Sequence, residues 1–116
     1  MTCDERLVER IRAVLERQPR TNERRMFGGV CFTLNGNMVC GVVGTDLMVR
    51  VGPDRYQDAL LHPYVREMDF TGRAMKGYVF VGMQGVRDGL ALQNWIDLGV
   101  TYVGGLPVKV RNKRSS

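Results

Sequence analysis

Little in this 116-residue chain lends itself to catalysis or to metal binding. There is one histidine and one tryptophan, and aromatic residues make up only 8%. His62 stands just ahead of Pro63 at an expected helix end, where the helix dipole favours it, and no nucleophile or acid is spaced around it as a catalytic partner. The three cysteines, Cys3, Cys31 and Cys40, show no CxxC spacing and are too few for a four-ligand zinc site, which suits a reducing compartment. No apolar run approaches the ~18–20 residues that span a bilayer. The start, MTCDERLVER, is charged throughout and has no signal-peptide core, so the expected location is the cytoplasm, away from membranes. Repeats and low-complexity segments are lacking as well.

Acidic residues are in the minority, 12 against 17 basic ones, giving a net charge of +5. Such a balance admits a nucleic-acid partner only if the basic groups cluster on one face. Here four of them fall in the final VKVRNKRSS, and many others alternate with acids in the first helix. Residues 1–108 read as one domain and 109–116 as a basic, disordered tail.

What is present is a clear succession of elements. Thr2 and Glu5 form a T-x-x-E capping box, and Leu7, Ile11, Val14 and Leu15 recur at helical spacing, predicting a helix from Cys3 to Gln18 that Pro19 ends. RTNERR reads as a polar connection. Gly28-Gly29 then precedes Val30–Leu34, which is strand-like. A phosphate-cradling loop needs a strand before its glycines and a helix after them, and the order here is wrong. The glycines instead permit a bulge or a close backbone approach.

Asn35-Gly36 is a strong signal for a tight hairpin. Unbroken pairing from that turn sets Leu34 opposite Asn37, Thr33 opposite Met38, Phe32 opposite Val39 and Cys31 opposite Cys40. Alternation then assigns Val30, Phe32, Leu34, Val39 and Val43 to the core. Cys31, Thr33, Met38, Cys40 and Val42 fall on the other face. A third strand, Leu47–Val51, adds Leu47, Val49 and Val51 to the core and Met48 and Arg50 to the cysteine face. Pro53 opens a short helix with Tyr56, Ala59 and Leu60 inward. Val65–Phe70 and Tyr78–Gly82 are strands joined by the loop TGRAMKG. Asp88 caps a final helix to Val103, whose inner face holds Leu92, Trp95, Ile96, Gly99, Tyr102 and Val103. The order α-β-β-β-α-β-β-α points to an α+β two-layer sandwich: an antiparallel sheet of about five strands with helices on one face.

The chain resembles the N-terminal domain of the TfoX/Sxy family of bacterial competence regulators. The resemblance rests on Met26-Phe27-Gly28-Gly29, Asn35-Gly36-Asn37, Leu47-Met48-Val49-Arg50-Val51, Asp69-Phe70-Thr71-Gly72-Arg73, Met75-Lys76-Gly77, Trp95 and Leu106-Pro107. It spans about residues 8–108. The match is closer to the short, stand-alone branch, because longer regulators add a second domain and tend to have Met-x-Tyr-Tyr where Met75-Lys76-Gly77-Tyr78 stands here. The resemblance implies a sandwich like that of secretion chaperones. It also implies a regulatory role, since full-length members promote expression of DNA-uptake genes together with the cyclic-AMP receptor protein. It brings no catalytic residues and no cofactor.

Three functions are therefore open. The first is a non-catalytic interaction module, docking to a protein partner or to itself through Cys31, Met38, Cys40, Val42, Met48 and Arg50, unless a terminal segment or the Tyr56 helix covers that face. The second is direct nucleic-acid binding through Arg24, Arg25, Arg73, Lys76 and the tail, with Arg73 and Lys76 as an anion-binding loop. The third is an enzyme or small-ligand binder with a deep polar pocket. If Cys31 and Cys40 do face each other, their Cβ atoms lie ~4.5–5.5 Å apart, close to disulfide reach. The simpler reading, and the one preferred, is two small reduced apolar residues on a packed sheet face rather than a redox-responsive pair.

Overall fold

The computed structural model describes residues 3–26, 28–70 and 73–108. Helix α1 (Glu5–Leu15) starts at Asp4, whose carboxylate accepts the backbone N–H of Arg6 and Leu7. Asp4 thus supplies the N-cap; the expected capping box involves Thr2, outside the described residues. Four strands follow: β1 (Thr21–Met26), β2 (Gly29–Leu34), β3 (Asn37–Val43) and β4 (Asp46–Arg50). Helix α2 (Pro53–Leu60) leads to β5 (Val65–Phe70) and β6 (Arg73–Val81). A short 3-10 turn, α3 in chain order (Met83–Val86), precedes the long helix α4 (Gly89–Gly104). The sheet has six antiparallel strands in the order β1-β2-β3-β4-β6-β5.

The α+β two-layer reading holds, with one strand more than expected. The segment taken as a polar connection is β1. Its alternation is hidden because both faces are polar: Glu23 and Arg25 point to the helix side and meet Arg12 and Glu5 of α1, as two-pronged ion pairs at 2.6 Å and 2.9 Å. Charged residues on a sheet edge also discourage pairing with another chain. Gly29 confirms the close approach: a Cβ there would sit 2.4 Å from the Val42 carbonyl oxygen. The expected loop at TGRAMKG is strand from Arg73 onward, so β6 runs through Arg73–Gly77 into the predicted Tyr78 strand.

The Asn35-Gly36 turn is present, with φ of 54° and 84°, and Leu34–Asn37 and Thr33–Met38 pair as expected. Beyond them the register departs. Phe32 pairs with Cys40 and Cys31 with Gly41, because Val39 is an extra residue forming a bulge. Val39 and Cys40 then both face the helices, and every later residue of β3 is inverted relative to the uninterrupted pattern. Val42 is in the core and Val43 is exposed.

The buried residues of every helix join one cluster with Val30, Phe32, Leu34, Val39, Cys40, Val42, Leu47, Val49, Val51, Val79 and Val81. The long helix α4 lies tightly on β3, so that a Cβ at Gly99 would stand 3.0 Å from Val39 Cγ1 and 3.1 Å from the Val39 carbonyl oxygen. All the helices therefore pack on one side of the sheet.

Candidate functional site: the outer face of the sheet

The opposite side carries a separate apolar cluster made only of strand residues. Met48, Met68 and Phe80 form its centre, with Met38, Met75 and Tyr78 packed around them. The register explains the set: Met48 lies opposite Gly41 on β3 and Phe80 on β6, and Arg50 lies opposite Tyr78. Helix α2 is not the cover, since its Tyr56 and Ala59 belong to the other cluster. The centre nonetheless closes over itself. Met48 is 2% and Met68 3% exposed, and among the described residues their cover is the long side chains of Met38, Met75 and Tyr78.

Of the six residues expected on this face, Cys31, Met38, Met48 and Arg50 are there. Cys40 and Val42 are not: the bulge at Val39 turns both into the helix-side core. With Cys31 half-buried on one face and Cys40 buried on the other, the expected cross-strand thiol pair does not form. Burial pushes the Cys31 thiol upward in pKa, against a smaller opposing effect of Arg24, and pushes Cys40 up further still. The alternation pattern missed Met68, Phe80, Tyr78 and Met75. Period-2 reading of β5 and β6 could have supplied the first three; Met75 was hidden in a segment taken as loop.

Among the described side chains, three arginines lie on this face. Arg24 pairs in register with Cys31 at the β1 edge. Arg66 lies over the Phe80 ring, 4.8 Å from its centroid, and bonds Asp46 at 2.6 Å. Arg50 lies over the rings of both Tyr78 and Tyr102, 5.4 and 5.6 Å from their centroids.

Among the described residues considered for nucleic-acid contact, Arg24, Arg25 and Lys76 are not gathered together. Arg24 and Arg25 point to opposite faces of β1, and Arg25 is engaged by Glu5. Lys76 is exposed on β6, which the strand order separates from β1 by β2, β3 and β4, or about 19 Å at ~4.8 Å per strand. Arg73 begins β6 and its side chain lies outside the described set, as does the tail. His62 sets its ring edge against Trp95 at 5.3 Å. Among the described residues no three His, Cys, Asp or Glu side chains are grouped to hold a metal. The Tyr56 hydroxyl is buried without a hydrogen-bond partner among the described residues, and burial, then nearby Glu67, raises its pKa.

Among known families, the profile of the TfoX N-terminal domain matches residues 13–102, most of the chain. The chain belongs to that family. Comparisons with curated proteins and with solved structures return no match. The TfoX N-terminal match covers every strand but leaves out most of α1 and the last residues of α4, so both faces of the sheet are part of the family domain. No helix among the described residues is long and apolar enough to cross a membrane.

Proposed function

We propose that this TfoX N-terminal domain is a non-catalytic, cytoplasmic interaction module of a regulatory kind, which docks a protein partner on the outer face of its sheet. The observation that supports this is the second apolar cluster, built, among the described residues, on strands alone with no helix over it. Methionine side chains are long and unbranched, so such a surface can repack around what it meets. Its half-buried members, Met38, Met75 and Tyr78, form the accessible rim. Membership of the family supports a role in transcriptional control, exerted through the docked protein rather than through direct DNA contact, since the described candidates Arg24, Arg25 and Lys76 do not converge.

The test compares capture from the native cytoplasm by the wild type, by Met38→Glu on the face, and by Leu61→Glu. Leu61 is 82% exposed at the end of α2, away from the face. The reading expects one partner to be lost with Met38→Glu and kept with Leu61→Glu, while both variants melt like the wild type. Equal capture by all three proteins overturns it. So does tight, steeply salt-dependent binding of DNA, which would favour the nucleic-acid function.

A further inference from the structure

Arg50 differs from the other structurally engaged arginines. Arg12, Arg25 and Arg66 each meet a carboxylate, and Arg10 donates to the carbonyls of Val86 and Arg87 at 2.7 and 3.2 Å. Arg50 is held by two tyrosine faces and has neither an ion pair nor a side-chain hydrogen bond among the described residues. A guanidinium carries five N–H donors in a planar fork. Contacts with two aromatic rings use none of these donors in a charge pair or side-chain hydrogen bond among the described residues.

The holding arrangement is built from three parts of the chain. Arg50 ends β4, Tyr78 stands opposite it on β6, and Tyr102 comes from α4. Tyr102 reaches this point because Gly52 has no side chain: a Cβ there would lie 2.4 Å from the ring, at a φ of +90° that favours glycine. The Gly77 carbonyl accepts the N–H of both Val51 and Gly52, at 2.8 and 3.1 Å, and ties β6 to the same corner. The guanidinium is thus positioned before any ligand arrives, which reduces the ordering cost of binding.

The charge on the face is one-sided. Its described side chains include Arg24, Arg50 and Arg66 against Asp46, and Asp46 is already bonded to Arg66. A second copy docked face to face about a two-fold axis would bring this arginine-rich surface against itself. A carboxylate-bearing partner would complement it.

Resting on the docking function proposed above, we infer that Arg50 is the anchor for a carboxylate of the partner, and that the occupant of the face is a protein segment combining an acidic residue with apolar ones. The carboxylate takes the guanidinium N–H donors in a two-pronged hydrogen bond, beside the Tyr78 and Tyr102 rings. The apolar residues lie along Met38 and Met75. Half-burial of the site limits screening of the pair by salt.

The test uses a displayed library of random 12-residue peptides selected on the full chain. Peptides that bind the wild type and lose binding to Met38→Glu should be enriched in Asp or Glu next to Leu, Phe, Ile or Met. Arg50→Met should weaken them roughly ten- to a hundredfold, as expected for a hydrogen-bonded charge pair. Changing the peptide's acidic residue to its amide should cost about the same on the wild type and add little on Arg50→Met. That peptide substitution leaves the protein intact, so misfolding cannot mimic it. Face-binding peptides without acidic enrichment, or insensitive to Arg50→Met, overturn the anchor while leaving the docking function standing. Failure of any peptide to bind the face counts against both. A dimer in sedimentation equilibrium that Met38→Glu dissociates would identify a second copy as the occupant and overturn the inference.

Discussion

The two sides of the sheet are built from alternate residues of the same strands, yet they solve burial differently. The helix side is filled by Val, Leu and Ile under α1, α2 and α4, and its central members are fully enclosed. β-Branched residues are stiff, and rigid neighbours on both sides hold them in place. The outer side uses Met, Phe and Tyr, which close over one another. Its enclosure depends on flexible side chains that can be displaced. The lesson is that low exposure has two meanings here: a fixed core on one side, and a movable cover on the other.

The sharpest contrast should appear in thiol chemistry. Cys40 should react with a thiol reagent only when the chain unfolds, while half-buried Cys31 should react in the folded state, slowed by its raised pKa. Mass spectrometry of timed labelling separates the two sites by orders of magnitude in rate. Mild oxidation should not join Cys31 to Cys40 in folded protein, and a 31–40 disulfide would break the assignment of faces.

Core truncation should show the next largest difference. Ile96→Ala removes a fully enclosed group under rigid neighbours and should cost ~3–4 kcal/mol in urea unfolding. Met48→Ala should cost ~2 kcal/mol, because Met38 and Met75 can move toward the gap. Equal losses would mean the outer cover is as rigid as the core.

A smaller effect is expected at the corner shared by the two sides. Gly52→Ala forces a side chain into the Tyr102 ring at a positive φ and should cost ~1–3 kcal/mol. The change should also shift the Arg50 side-chain NMR signal, and an unmoved signal would separate that guanidinium from the tyrosine clamp.

The weakest effect belongs to the ion pairs that fasten β1 to α1. Hydrogen bonding to Arg25 and to Arg12 lowers the pKa of Glu5 and Glu23. Since the folded values are depressed, the contribution is present above the unfolded carboxylate range and is lost as pH falls through the folded values. A shallow decline in melting temperature below about pH 4.5 should result. Both pairs are exposed, so the decline should shrink in high salt and in Arg12→Gln.

Much of this architecture was legible because its signals are local. Asn35-Gly36 specified a turn by backbone chemistry alone, and Leu47, Val49 and Val51 alternate without interruption. Three features were not. Strand β1 has charge on both faces, and its pattern makes sense only beside Glu5 and Arg12 of α1. The Arg73–Gly77 part of β6 contains glycine and lysine, which resemble a loop until β5 pairs with it. The bulge at Val39 has no local signature, since Asn37–Val43 is compatible with smooth alternation. What distinguishes Val39 is its contact with Gly99, some sixty residues away in sequence. Consequently four of the six expected outer-face residues were legible, and the two lying past the bulge, Cys40 and Val42, were not.

The ladder itself has no use for Val39. Without that residue, Met38 and Cys40 would follow each other directly, and the partners Thr33, Phe32, Cys31 and Val30 would still meet Met38, Cys40, Gly41 and Val42 in order. A hairpin one residue shorter could keep the same neighbours. What it would give up is the seat for the long helix, so Val39 serves as a spacer between layers, and shortening the strand there should loosen the grip of α4 before it disturbs the hairpin.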